Sequence, residues 1–219
     1  MIARLWWRLV RFGFRLLYNE FAFTYDLVSK VVSLGAWRDW QRAALKHLRS
    51  DGLILELAHG TGNLQIDLAN TGYRAVGYDL SPAMGQIAQR KLLKHGLKAP
   101  LVRGMAQALP FPAEQFSGVV STFPSEFIVS SQTLAEVWRV LAADGVFVIV
   151  PGATFTGGGV AKTVLDWLYH ITGQRQSESI AEQSRITEWL SPYGFEVEIH
   201  EEPCPRSKAL VIVARKRVS

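Results

Sequence analysis

The sequence predicts an α/β fold: a doubly wound, mostly parallel sheet of seven strands with helices on both faces. Three observations predict it. Short apolar runs at 53–57, 75–79, 100–103, 117–122, 145–150, 195–200 and 209–215 alternate with helix-like segments, the pattern of parallel strands covered on both sides. The first run passes straight into a tight Gly-x-Gly turn at Gly60–Gly62, and a helical pattern begins at Leu64. That strand, loop and helix N-terminus form the unit with which α/β folds hold a nucleotide-like ligand. The last two runs are joined only by the loop from Glu201 to Lys208, which carries Pro203 and Pro205. It is too short for a helical crossover, so this pair is predicted to be an antiparallel hairpin.

Residues 1–23 form a separate unit. Arg4, Arg8, Arg11 and Arg15 recur every three or four residues and make one basic stripe on a helix. Leu5, Trp6, Leu9, Phe12, Leu16 and Leu17 fall largely elsewhere. The pattern is a basic amphipathic helix suited to lie in a membrane surface through residues 1–17. A helix that caps the domain with its apolar face is the competing reading. An arginine on every turn argues against a transmembrane span, and no uninterrupted apolar core marks a signal peptide. The remaining domain runs from 24 to 219, with a first helical segment from about Trp37 to Arg49.

The glycine loop is predicted to bind through its backbone. Gly60 and Gly62 permit positive φ and close approach of a ligand. Gln65 stands where a dinucleotide fingerprint needs its third glycine, which argues against NAD and for a cofactor without a pyrophosphate. The second strand ends in Asp79, about twenty residues on, where a carboxylate can take both hydroxyls of a ribose. Ser81 and Pro82 then open a helix as N-cap and first residue. Between the fifth and sixth strands lie some forty residues, about 151–192, with two helical patterns and a Gly157-Gly158-Gly159 hinge. In doubly wound folds ligands sit beyond the carboxyl ends of the strands, so this stretch is predicted to be a helical lid.

Composition narrows the classes. A chain of 219 residues, 48% hydrophobic, has enough length for one full core. The single cysteine, Cys204, allows no intrachain disulfide and fits a reducing cytoplasm. The formal charge of +5 comes largely from the four N-terminal arginines and from Arg215, Lys216 and Arg217 at the other end. Two basic ends are poor evidence for a nucleic-acid surface, which needs a basic patch on a folded face. No His, Asp and Glu cluster has metal-ligand spacing, and there is no P-loop.

Several segments taken in order carry a resemblance. Glu-Leu-Ala-His-Gly-Thr-Gly-Asn (56–63), Val-Gly-Tyr-Asp-Leu-Ser-Pro-Ala-Met (76–84) and Ala-Gln-Ala-Leu-Pro-Phe (106–111) are three of them. Phe-Ser-Gly-Val-Val-Ser-Thr-Phe (116–123) and Glu-Val-Trp-Arg-Val-Leu-Ala-Ala-Asp-Gly (136–145) complete the set. Over residues 20 to 150 the chain resembles the class I S-adenosylmethionine (SAM) methyltransferases. Tyr25-Asp26 and Ser33-Leu-Gly-Ala-Trp-Arg-Asp-Trp40 resemble the ubiquinone/menaquinone biosynthesis C-methyltransferases within them. The resemblance implies a Rossmann-like sheet with an antiparallel last strand, SAM as cofactor, and a small, lipophilic acceptor such as a quinone precursor or lipid-like molecule. With the single cysteine and the basic segment of residues 1–17, the expectation is a cytoplasmic protein, peripheral on the inner face of a membrane if that segment does not instead pack on the domain. A non-catalytic SAM-binding protein of the same fold, and an enzyme for a soluble metabolite, are the alternatives. The methylated atom and the oligomeric state stay open.

The same resemblance supplies candidate residues. Glu56, Ala58, His59, Gly60, Thr61 and Gly62 are expected around the methionine end of the cofactor, and Asp79 on the ribose. Leu80, Met84, Met105 and Ala106 are expected around the adenine, with Ser121 and Thr122 beside the methyl donor. Met105 stands where many relatives carry Asp or Asn, so adenine recognition falls to the Ala106 backbone and to apolar contacts. Glu126 is a candidate base, with a plain surface carboxylate as the competing reading. Tyr25 is expected to pack over the cofactor. His170, in the lid beside Tyr169, is the best-placed group for proton removal near neutral pH.

Overall fold

A computed structural model describes residues 24–156 and 186–217. The expected helix of residues 1–23, the glycine hinge, Tyr169, His170 and most of the lid lie outside the described residues. The described chain opens with α1 (Tyr25–Val32) and α2 (Trp37–Ala43), the latter running into a 3-10 turn, Ala44–His47. Then β1 (Leu53–Leu57), α3 (Asn63–Asn70), β2 (Arg74–Asp79), α4 (Pro82–Lys94), β3 (Leu101–Arg103) and β4 (Phe116–Thr122) follow. The series closes with α5 (Ser131–Val140), β5 (Leu141–Phe155), β6 (Phe195–Cys204) and β7 (Ser207–Lys216).

All seven strands join one sheet in the order β3-β2-β1-β4-β5-β7-β6. The first five are parallel, and β7 pairs antiparallel with both β5 and β6. The chain winds outward from β1 to β3 and then returns to β4, so β1 and β4 flank the point where strand order reverses. Their carboxyl ends are where such sheets bind ligands.

Each face of the sheet has its own core. Trp40, Ile54, Leu64, Leu68, Val120, Val146, Val148 and Val213 pack together on one face beneath α2 and α3. Leu55, Leu57, Val119, Leu134, Val137, Phe147, Ile212 and Leu190 pack on the other beneath α5. Residues 146–150 of β5 thus alternate between two buried faces, which explains why β5 reads as a continuous apolar run. The Ser81 hydroxyl accepts from Met84 N–H at 3.2 Å and Pro82 takes the first turn of α4.

Three boundaries differ from expectation. Strand β5 runs to Phe155, past the Pro151-Gly152 pair that reads as a terminator, because a register shift between Ile149 and Gly152 lets β7 keep pairing beyond it. The first residues of the expected lid are therefore strand, while residues 186–190 are helical and lead to the turn Ser191–Tyr193. The loop between β6 and β7 shrinks to Pro205 and Arg206, with Cys204 facing Ser207. Pro203 is tolerated because β6 is an edge strand. The expected Trp37–Arg49 helix keeps α geometry only to Ala43.

The Arg-x-Trp pattern fastens α2 to this sheet. Arg38 holds the buried Asp67 of α3 through two hydrogen bonds of 2.9 Å, and Arg42 adds a third of 2.9 Å. Trp40 is fully buried and its Nε1–H donates to Ser207 Oγ at 2.8 Å.

Candidate functional site

The site forms where β1, β2 and β3 end. The loop from Ala58 to Gly62 leaves β1 with three positive φ values: Ala58 at 58°, Gly60 at 53° and Gly62 at 80°. An alanine held left-handed stores strain, which collects at functional loops. The loop is pinned to β2. Ala58 N–H donates to the Tyr78 carbonyl at 2.7 Å and Gly60 N–H donates to Asp79 Oδ2 at 2.9 Å. Asp79 Oδ1 accepts from Ser81 N–H at 2.8 Å. Both carboxylate oxygens are thus oriented by backbone amides and keep further lone pairs for a ligand's hydroxyls.

The two glycines divide the work that was expected of both. A Cβ added at Gly60 meets nothing within 4 Å, so open space lies over that residue. A Cβ at Gly62 would come to 2.7 Å from the Ala88 Cβ and 3.1 Å from its Cα. Gly62 is therefore required by the close packing of the loop on α4.

Glu56 ends up on β1 with 1% exposure, accepting a 2.7 Å hydrogen bond from Gln65 Nε2. Burial pushes its carboxyl up to about 8; the Gln65 bond opposes this and the charges of Asp79 and Asp67 add to it. The group is thus largely protonated at neutral pH. His59 is buried, with Nδ1 2.8 Å from the Gly60 carbonyl. Burial lowers its pKa below the ordinary value, against the pull of Asp79 and Gly60. Its ring sits over Gly77, where a Cβ would meet His59 at 3.0 Å.

On the β2–β3 side, Leu80 is 59% exposed and Met105 is 56% exposed. The two ends are tied by the bond from Gly104 N–H to the Asp79 carbonyl at 3.1 Å, which leaves two apolar side chains free beside the acid. Ala106 is buried next to them. Met84, at 1% exposure, is buried under α4. Ser121 and Thr122 use their hydroxyls within the fold. Ser121 Oγ donates to the Leu57 carbonyl at 2.9 Å, and Thr122 Oγ1 accepts from Gln41 Nε2 at 3.0 Å. These hydroxyls hold β4 to β1 and to α2.

An aromatic wall stands on the β4 side. Phe123, itself left-handed at φ 51°, stacks on Trp37 with centroids 3.9 Å apart. Tyr25 meets Trp37 edge-on at 6.3 Å, so Tyr25 is joined to this wall. Glu126 opens the short 3-10 turn that follows, exposed at the rim. Sequence reasoning gave no role to Asp26. It accepts from Thr61 Oγ1 at 2.6 Å and from Asn63 Nδ2 at 3.1 Å, and it pairs with Lys91. The Tyr25-Asp26 motif was the signal for it, but its partners are set only in three dimensions.

Comparison with known proteins agrees with this architecture. Residues 54–145 match the family described as a methyltransferase domain. The chain is 37% identical over 139 residues to a demethylmenaquinone methyltransferase of Thermus thermophilus, covering 61% of this chain and 63% of that one. It is 31% identical over 162 residues to the ubiquinone/menaquinone biosynthesis C-methyltransferase UbiE of Geotalea uraniireducens, covering 70% of this chain and 67% of that one. The match to the Thermus relative thus spans less than two thirds of its length. A protein of Methanococcus maripaludis, provisionally described as a SAM-dependent methyltransferase, has the same fold. Its TM-score is 0.67 at 19% identity, with 90% of this chain and 93% of that chain covered. The chain belongs to the class I SAM-dependent methyltransferases, whose fold implies S-adenosylmethionine as cofactor, and within them it is similar to the quinone-biosynthesis C-methyltransferases.

Proposed function

We propose that the chain binds SAM across the ends of β1, β2 and β3 and methylates a small, lipophilic acceptor, a quinone precursor or lipid-like molecule, at a membrane surface. The carrying observation is the open space over Gly60 beside an Asp79 carboxylate already oriented by two backbone amides. The residues present fit the cofactor. Asp79 accepts from the ribose hydroxyls, Leu80 and Met105 cover the adenine faces, and the Ala106 backbone serves its edge. The loop from Ala58 to Thr61 follows the methionine end above Glu56.

SAM supplies a methyl group on a sulfonium, transferred to a carbon or oxygen of the acceptor that gives up a proton. The chain's task is alignment and exclusion of water. Tyr25 and Trp37, the latter stacked on the buried Phe123, present aromatic surface on the β4 side, where a planar apolar acceptor is held. Glu126 at the rim and His170 in the segment between β5 and β6 are the proposed proton acceptors. The similarity to demethylmenaquinone methyltransferases supports an aromatic acceptor.

The membrane part rests on the basic, aromatic sequence of residues 1–17. Among the described residues no helix is long and apolar enough to cross a membrane. Incubating the protein with SAM and a membrane lipid extract, with mass detection of products, tests the proposal. A lipid gaining one methyl supports it. Methylation confined to water-soluble metabolites, or none at all, would overturn the lipophilic acceptor.

A further inference from the structure

The glycine loop is held from two sides by two carboxylates. Asp79 holds its first half through the Gly60 amide at 2.9 Å. Asp26, on α1, holds its second half through the Thr61 hydroxyl at 2.6 Å and the Asn63 amide at 3.1 Å. Lys91 of α4 closes the cluster, pairing with Asp26 and donating to Asn63 Oδ1 at 2.9 Å. Asp26 is half-buried. Burial alone would raise its pKa, but the bonds from Lys91, Thr61 and Asn63 and the Lys91 charge outweigh that and hold the carboxyl below its ordinary value. Charge-assisted bonds of this kind are shorter and stronger than neutral ones. Thr61 is itself buried, so its orientation passes directly into the loop backbone.

We propose that Asp26 is a positioning residue that latches the N-terminal helix onto the cofactor loop and thereby shapes the amino-acid end of the cofactor site. The inference rests on the reading of that site as a SAM site. Asp79 itself lies toward β2 and β3, beside Leu80 and Met105, and serves the nucleoside, while the loop from Ala58 to Thr61 serves the methionine chain. Asp26 holds the Thr61 end of that loop against α1 and α3. Loss of the latch relaxes only the second half. The cofactor's affinity is in this way tied to the docking of α1, the helix that directly follows the basic segment of residues 1–23.

The test compares two ligands that differ only at that end. S-adenosylhomocysteine carries the amino acid, and 5′-methylthioadenosine carries the nucleoside without it. Calorimetry on the full chain should show Asp26→Ala weakening S-adenosylhomocysteine about tenfold, the scale of one lost bond to a charged group, while methylthioadenosine changes less than about twofold. Asp26→Asn, which keeps the side chain's size and one acceptor, should weaken S-adenosylhomocysteine by an intermediate factor, and it decides the matter if the alanine variant does not fold. Unchanged affinity for S-adenosylhomocysteine, or an equal loss for both ligands, overturns the latch. Failure of the wild type to bind either ligand overturns the site reading beneath it.

Discussion

Substituting Gly60 and Gly62 separately tests how the loop divides its work. Gly62→Ala places a Cβ 2.7 Å from Ala88 Cβ at a residue with φ +80°. Left-handed alanine costs about 1 to 2 kcal/mol, and overpacking against a helix backbone adds about 1 to 3 kcal/mol. The total of about 2 to 5 kcal/mol lowers the melting temperature of a chain this size by roughly 4 to 20 °C. Gly60→Ala pays only the backbone term, because its Cβ meets nothing within 4 Å at φ +53°. That is about 1 to 2 kcal/mol, or roughly 2 to 8 °C, but the new methyl points into the space proposed for the cofactor. Thermal melts without ligand, paired with S-adenosylhomocysteine calorimetry, separate the two. Gly62→Ala should be the less stable variant and Gly60→Ala the weaker binder. The reverse ranking in either measurement would refute the assignment of Gly62 to helix packing and of Gly60 to the ligand.

Other expectations follow from the same contacts. Glu56 has a folded-state pKa of about 8 against 4.5 for the ordinary group. The folded state therefore binds the extra proton, and the contribution of Glu56 is complete below pH 4.5 and lost as pH rises toward 8, by at most about 1.4 kcal/mol per unit. Denaturant titrations between pH 5 and 8 should show wild type losing stability relative to Glu56→Gln; parallel curves would remove the buried proton from the account. Arg4, Arg8, Arg11 and Arg15 should each contribute about 1 kcal/mol near an anionic bilayer. Vesicle sedimentation should then fall for a chain lacking residues 1–17 and weaken with salt, whereas equal partitioning of both forms would leave residues 1–17 as a plain packing segment.

The sheet was legible because its cause is local. Parallel interior strands must be apolar on both faces, so Leu53–Leu57 and Phe116–Thr122 announce themselves, and Ser81-Pro82 marks a helix start within two residues. Asp79 and the glycine loop were equally readable. What the sequence hid depends on tertiary neighbours. Nothing in the chain distinguishes Gly60 from Gly62 until Ala88 is seen beside one of them. The bonds of Ser121 to Leu57 and of Thr122 to Gln41, and the burial of Met84, likewise appear only in three dimensions. Asp26 finds its partners 35, 37 and 65 residues away, at Thr61, Asn63 and Lys91, and no periodicity signals such pairing. The strand past Pro151 stayed hidden because a bulge overrides the usual meaning of Pro-Gly.

The central claim is that SAM sits against Asp79 at the end of β2. Titration calorimetry of S-adenosylhomocysteine into the wild-type chain and into Asp79→Ala tests it most directly, with a ligand-free melt of each to register the loss of the Gly60 and Ser81 amide contacts. Hydrogen bonds to a charged group are worth about 1.5 to 3 kcal/mol, so the account predicts one-to-one binding by wild type and about ten- to a hundredfold weaker binding by the folded variant. No binding by wild type, or equal binding by both, would contradict it.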